Sequence, residues 1–411
     1  MNSQEKPSNA LVPVQESEKS PVAVTPKTSY WGRVAIRYTW IWRMLLILLL
    51  IFAALFMLLF SRAFTYDSVF CFFRDLQAVS SFVSSDYGTV TSTYTAGDQT
   101  VLSYRGGIAF INSGGVEIYS PDGERLLNAE RPMQNPRAMA SRKYLVAYDN
   151  GGTSFVVTNS YAELFRGETE FPILGVCVSD SGHFALITSS DQVLSQVLLY
   201  DNNFNLIQRF QRASATVDVS LADNGKRIAI LGANAAQGTV ASKLDIFQLG
   251  DTNAEVSHLF QNEIPLSVGF TGNRNVMVLT NKAVRCCDTD QEIRMEMPTN
   301  GTPVGFTVND YGALLVLETD KITGTHRVLA FEKKGDVLYD GSLDADIHAL
   351  ALGDEELFLL TKDQVIRLDA NSGESTAKAI GEGAIGLFVV DDRQVRICYP
   401  AKADILLFEN T

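Results

Sequence analysis

The sequence is poor in the groups that carry most protein chemistry. Five cysteines in 411 residues are too few and too scattered for a disulfide framework, and none forms a Cys-x-x-Cys pair. The four histidines, His183, His258, His326 and His348, lie far apart and outside any His-Glu-x-x-His frame, so no metal site of recognisable spacing exists. There is no Gly-x-Ser-x-Gly elbow and no Gly-x4-Gly-Lys-Ser/Thr loop, which removes the usual sequence handles for nucleophilic and phosphate chemistry. All three tryptophans precede residue 43. Positive charge is also scarce: the formal net charge is −13, the wrong sign for a general nucleic-acid binder. An apolar content of 46% with 20% charged residues excludes wholesale disorder, a collagen-like fibre and a polytopic transporter.

What is there falls into pieces. Residues 1–39 carry Pro7, Pro13, Pro21 and Pro26, many Ser and Thr, and no apolar period. Such a stretch buries too little to offset chain entropy and reads as a disordered cytoplasmic tail. Residues 44–60 are 17 apolar residues without charge, Gly or Pro. With Trp40, Ile41, Trp42 and Arg43 they predict a transmembrane helix over 40–61. Lys27, Arg33, Arg37 and Arg43 precede the run and no acid occurs between 27 and 43, so the expected topology is a single-pass signal anchor in the cell membrane with the N-terminus cytoplasmic. A cleaved signal peptide ending near Ser61-Arg62-Ala63 is the rival reading. Residues 62–87 form a juxtamembrane connector with an aromatic run at Phe70, Cys71, Phe72 and Phe73. The first 43 residues hold six Lys/Arg and three Asp/Glu and residues 44–61 none, so the remainder carries −16 of the total −13.

From residue 88 onward short β-rich runs alternate with Gly, Asn and Asp turns. One unit recurs: a small-residue strand, a tight turn, a strongly apolar strand, then two more strands. Its clearest copies hold the turns Asp180-Ser181-Gly182, Asp223-Asn224-Gly225 and Asp310-Tyr311-Gly312, where Gly suits a positive φ and Asp bonds nearby backbone. Copies begin near 100, 136, 173, 216, 266, 303, 347 and 384. A period of about 40 with four strands per unit predicts an all-β fold, an eight-bladed β-propeller over 88–411, with seven blades as the alternative. The last unit offers only three strands, at 385–390, 395–399 and 405–408, while an orphan run at 89–94 precedes the first. Ring closure is therefore expected: the N-terminal strand completes the last blade and removes the open edges. Alternation of Gly175 and Cys177 with Val176 and Val178, of Gly305 and Thr307 with Phe306 and Val308, and of Ala349 and Ala351 with Leu350 and Leu352 suits nesting of twisted sheets. The longest insertion, at 234–242, is expected to project from one face.

On the basic flank ending in Arg33, Arg37 and Arg43, the 44–60 run and the Asp180, Asp223 and Asp310 turns, residues 30–411 resemble membrane-anchored β-propeller proteins of Gram-positive bacteria, a family of unknown function. The fold is also similar to WD40 and quinoprotein-type propellers, but their tryptophan motifs are absent from the domain, which argues against a bound quinone. The resemblance brings no functional residues with it.

No catalytic, cofactor-binding or metal residue is assigned, and no cofactor is expected. His348 at the start of a first strand reads as structural. Asp288, Asp290 and Glu292 alternate as in a calcium loop but lack its Gly and downstream Glu, and read as a solvated turn. Cys286 and Cys287, being adjacent, point to opposite faces of a strand, and Cys177 reads as a small buried residue. The expected function is that of an extracytoplasmic binding scaffold for an envelope protein or glycan, without nucleic acid and without catalysis. The alternatives are an envelope glycan hydrolase or lyase using carboxylates such as Asp218 in the channel, and a ligand-sensing ectodomain.

Overall fold

The computed structural model describes residues 30–59, 90–92, 99–236, 238–289 and 292–408. Two compact units divide the chain at residues 72 and 73. In the first, one 30-residue helix, α1 (Tyr30–Leu59), holds the apolar run, as expected from 16 consecutive residues that favour or tolerate a helix without Gly or Pro. It begins at Tyr30, inside the segment expected to be unstructured, because Tyr30–Thr39 adds aromatic and aliphatic residues that extend the turn pattern. The side chains described along it, continuously from 37 to 52, are exposed. Among the described residues no helix is long and apolar enough to cross a membrane. The structure thus shows a helix at 40–59 and does not show the expected membrane span. The connector at 62–87 and Cys71 lie outside the described residues.

The second unit is built wholly of antiparallel four-stranded sheets among its described residues, eight in all. Blades 1 to 7 occupy 100–130, 136–168, 173–212, 215–261, 265–298, 302–344 and 349–379. The repeat starts read from sequence fall within two residues of these. Blade 8 comprises Gly386–Asp391, Gln394–Cys398 and Lys402–Leu407, and its fourth strand is Val90–Thr91. Val90 stands opposite Ala403 and Thr91 opposite Lys402. The ring is therefore eight-bladed and closed by the N-terminal strand. Just beyond that strand, the Ser92 amide donates to the Ala401 carbonyl at 2.9 Å, and its hydroxyl donates to buried Glu117 of blade 1 at 2.8 Å. One residue thus ties blade 8 to blade 1.

Period-2 alternation gives each blade two apolar faces, and the eight hydrophobic clusters correspond one to one with the eight blade interfaces. Val146, Phe184 and Leu186 lie between blades 2 and 3, and Ile108, Phe110 and Cys398 between blades 1 and 8. The small first-strand residues make room for a neighbour. A Cβ on Gly305 would sit 2.1 Å from Leu350 of the next blade, and one on Gly269 would sit 2.6 Å from Val308 of the next. Cys286 packs between blades 5 and 6 and Cys287 between blades 4 and 5, on opposite sides of their strand as expected. Cys177, Cys286, Cys287 and Cys398 are all buried and free. Burial pushes the Cys286 thiol up to about 11 and those of Cys287 and Cys398 to about 12, so none is a reactive thiolate at neutral pH.

The up-and-down order gives the ring two unlike faces. First and third turns of every blade open on one, the turn face. Second turns and the links between blades open on the other, the link face. The 234–242 insertion lengthens the hairpin Arg227–Ala236 and Thr239–Gln248 of blade 4, which projects from the link face. Asp288 departs from its reading as a solvated turn residue: it is buried and paired with Arg294, which replaces its lost hydration. Its proposed companion Asp290 lies outside the described residues. His348 precedes its strand, its amide donating to the Leu360 carbonyl at 2.8 Å, with Nε2 3.6 Å from Asp346.

Candidate functional site

First strands converge on the ring axis, so the turn that follows each delivers its side chains to one end of the channel. The Asp-x-Gly turns of blades 3, 4 and 6 therefore do more than reverse the chain. Gly182 and Gly225 adopt φ of 90° and 65°, which L-residues with a Cβ avoid, and each turn directs its Asp toward the axis. There the turn-face mouth opens into a cavity of about 860 Å³ lined by six of the blades. Arg142, Asp180, Asp223, Asp310 and Tyr311 line it, with Asp218 deeper.

Arg142, from the first turn of blade 2, organises this mouth. Its amide donates to Asp180 Oδ1 at 2.7 Å, its Nε donates to Asp180 Oδ2, and its Nη2 donates to Asp310 Oδ2 at 3.1 Å. Blades 2 and 6 face each other across a ring of eight, so one guanidinium bridges the mouth. The hydrogen bond and the charge of Asp180 raise its pKa further. Asp223 stands on the other side of Asp310. Burial, then a hydrogen bond shared with Asp310 and repulsion from Asp310 and Asp180, push its carboxyl up to about 7, against the pull of Arg142. Asp223 is therefore a carboxyl held close to its proton near neutral pH, as burial beside like charges dictates.

Asp218, on the first strand of blade 4, holds the ring together instead. Ser267 Oγ and the Val268 amide of blade 5 donate to its Oδ2 at 2.8 and 2.9 Å, and the Val219 amide donates to Oδ1 at 2.9 Å. Burial raises its pKa, and these donors oppose the shift. The charge anticipated there as a reactive carboxylate is a staple between blades 4 and 5.

Ser181 lies beside the mouth, its Oγ 2.8 Å from His183 Nδ1 and 2.7 Å from Ser179 Oγ. Burial lowers the pKa of His183. Among the described residues no carboxylate is hydrogen-bonded to the ring's other nitrogen, so no nucleophilic triad is assembled. One Gly-x-Gly-x-x-Gly string, Gly381, Gly383 and Gly386, also occurs. It leads into a strand of blade 8, not from a strand into a helix as a dinucleotide loop requires. Among the described residues no group of three or more His, Cys, Asp or Glu is placed to hold a metal ion.

The convergence of Arg142, Asp180, Asp223 and Asp310 was partly legible. The three Asp occupy one position of a repeated turn, and equivalent positions of a propeller meet at one mouth. Arg142 sits in the turn Ser141-Arg142-Lys143, which has no Asp-x-Gly to mark it.

A titration follows from the raised Asp223 carboxyl. The Asp223 carboxyl is expected to titrate near pH 7, and Asp310→Asn to bring it back toward its ordinary 3.8, as read by carboxyl 13C shifts. A carboxyl raised in the folded state binds its proton more tightly there than when unfolded. Its contribution to stability is complete below about pH 4 and lost as pH rises toward 7.

Among solved structures, apo AztD from Citrobacter koseri is similar over 74% of this chain and 92% of its own, with 13% identity and a TM-score of 0.53. The β-propeller domain of Cps50 (Swd1) from Myceliophteria thermophila aligns over 69% of this chain and 99% of its own, with 10% identity and a TM-score of 0.46. At such identities the likeness to AztD is one of fold. No curated protein matches. A family profile matches residues 81–405, nearly the whole propeller, and the chain accordingly belongs to the family of unknown function DUF5711.

Proposed function

We propose that this protein is a tethered binding scaffold that receives an envelope protein or glycan at the turn-face mouth. The carrying observation is the bridge of Arg142 to Asp180 and Asp310, with Asp223 beside it. Arg142 is largely exposed, and an exposed ion pair adds only about 0–1 kcal/mol. Stability therefore does not account for three carboxylates and a guanidinium drawn together from four blades, whereas recognition of a polar partner does. The tether in this reading is α1. The basic flank of its apolar run favours a cytoplasmic N-terminus with the propeller outside, at the surface of a Gram-positive cell as the resemblance implies. Protease added to intact cells is expected to remove the propeller while a cytoplasmic marker survives. Crosslinking in intact cells tests the site: partners captured by the native chain should be lost from Arg142→Ala/Asp223→Asn/Asp310→Asn. Equal recovery from both would refute the assignment.

A second reading has its own support. Asp223, beside Asp310, has its carboxyl pushed up to about 7, which suits acid–base work on a glycan. It predicts that purified protein cleaves envelope glycan strands, and that Asp223→Asn abolishes cleavage while retaining binding. Strands left intact by the native chain would remove it.

A further inference from the structure

The channel ends differently at the link face. In blades 3, 4, 5 and 6 the pairing of first to second strand slips by one residue at the same point: between Ile173 and Gly175, Thr216 and Asp218, Pro265 and Ser267, and Pro303 and Gly305. The residues stepped over are Leu174, Val217, Leu266 and Val304, which are 50%, 42%, 39% and 46% exposed. A bulge takes one residue out of the ladder and re-aims its side chain. Four bulges in four consecutive blades therefore set four branched aliphatic side chains along one half of the channel rim. Ile264, in the link before Leu266, is exposed beside them in sequence.

Ring geometry does not require these bulges. Blades 1 and 2 line the same channel with first strands in unbroken register. Nor does packing require the side chains, because Val176, Val219 and Val268 of the same strands already fill the interfaces. The segments that carry the crescent, 171–175, 213–217, 264–267 and 299–305, hold no charged residue, and neither does the hairpin tip at 232–242. That is unusual in a region carrying −16, and it contrasts with the charged mouth at the other end.

We propose that this apolar crescent docks an uncharged, aliphatic stretch of polypeptide from another protein. A charged segment would lose hydration there with no opposite charge to replace it. A bilayer surface is typically met by Trp, Lys or Arg around an apolar patch, and every Trp precedes residue 43. A polypeptide fits best because each bulge sets an aliphatic side chain next to backbone groups taken out of the ladder, the combination that an added extended segment uses.

The test places a photo-crosslinking phenylalanine at Val217 in the full chain, in its own membranes, and identifies the captured peptide by mass spectrometry. The expected product is an aliphatic, uncharged peptide of a different protein. Its yield should fall about tenfold when Leu174, Leu266 and Val304 are changed together to serine, and also with Leu266→Lys alone, the unfolding midpoint being retained in at least one of the two. The proposal is overturned by a yield no higher than from the same probe at Val337, exposed on the outer strand of blade 6. It is equally overturned by adducts to lipid, glycan, a charged peptide or a second copy of this chain in place of the expected product, or by a yield that the substitutions leave unchanged.

Discussion

Arg285→Ala is expected to destabilise the propeller by about 3–5 kcal/mol, the range for removing one partner of a buried ion pair. Arg285 is 5% exposed and Glu263 11%. The guanidinium meets Glu263 with two hydrogen bonds, Nη1 to Oε2 at 2.7 Å and Nη2 to Oε1 at 2.8 Å, and lies 4.3 Å from the Phe260 ring centroid. Thr280 Oγ1 also donates to Glu263, at 2.6 Å. Removing the arginine strands a buried carboxylate and empties the space over Phe260. Removing both charges together, as Arg285→Met/Glu263→Gln, should cost much less, because no buried charge is left unpaired and the other partner of Arg285, Glu296, is 54% exposed. Urea unfolding of the full chain measures both, and equal losses for the two variants would overturn this account.

The pH dependence of that loss has a definite sign. Burial alone would raise the Glu263 carboxyl, but the Arg285 and Thr280 hydrogen bonds outweigh it and hold the group below its ordinary 4.5. A lowered carboxyl contributes stability above its unfolded pKa and loses that contribution as pH falls through its folded value. The gap between native and Arg285→Ala should therefore be widest at neutral pH and narrow in acid, where Glu263 takes up a proton. Asp223 works in the opposite sense, since its carboxyl is raised. The structural pair and the mouth pair are thus distinguishable by the direction in which acid moves stability.

That contrast also marks what sequence reading reaches. Blade boundaries follow from turn chemistry and a two-residue period, both local, so the repeats at 173, 216 and 303 anticipated the observed strands within a residue. Closure was legible by counting, because three strands remained at the end and one at the start. Asp218 was singled out as a channel carboxylate, yet its role depends on Ser267 and Val268 nearly 50 residues on, at a distance fixed only by blade packing. Arg142 reaches Asp310 across the ring, and no local pattern encodes that span. The bulges at Leu174, Val217, Leu266 and Val304 are register events, and alternation that continues on both sides of the slip conceals them. Local rules gave the scaffold, while the mouths arise from which blades face each other.

Phe408→Ala is expected to cost about 3–5 kcal/mol, as for other buried Phe truncations, and its consequences should spread further than those of Arg285→Ala. Phe408 follows the last strand of blade 8, is fully buried, and packs with Phe358 of blade 7 at 5.9 Å between ring centroids. Blade 8 is assembled from two distant parts of the chain, and among the described residues its N-terminal contribution is Val90–Thr91 with Ser92. Weakening the packing of this blade on blade 7 opens a ring, and an opened ring regains the two edges that closure removed. In native protein, amides such as those of Ile397 in blade 8 and Ile108 in blade 1 should exchange as slowly as that of Ile230 in blade 4, because a closed ring has no frayed end. In Phe408→Ala, protection should fall first in blades 8 and 1, whereas Arg285→Ala should loosen blades 4 and 5 first. Hydrogen exchange by mass spectrometry separates the two patterns. Native protein in which blade 8 already exchanges much faster than blade 4 would mean that the two-residue strand does not close the ring in solution.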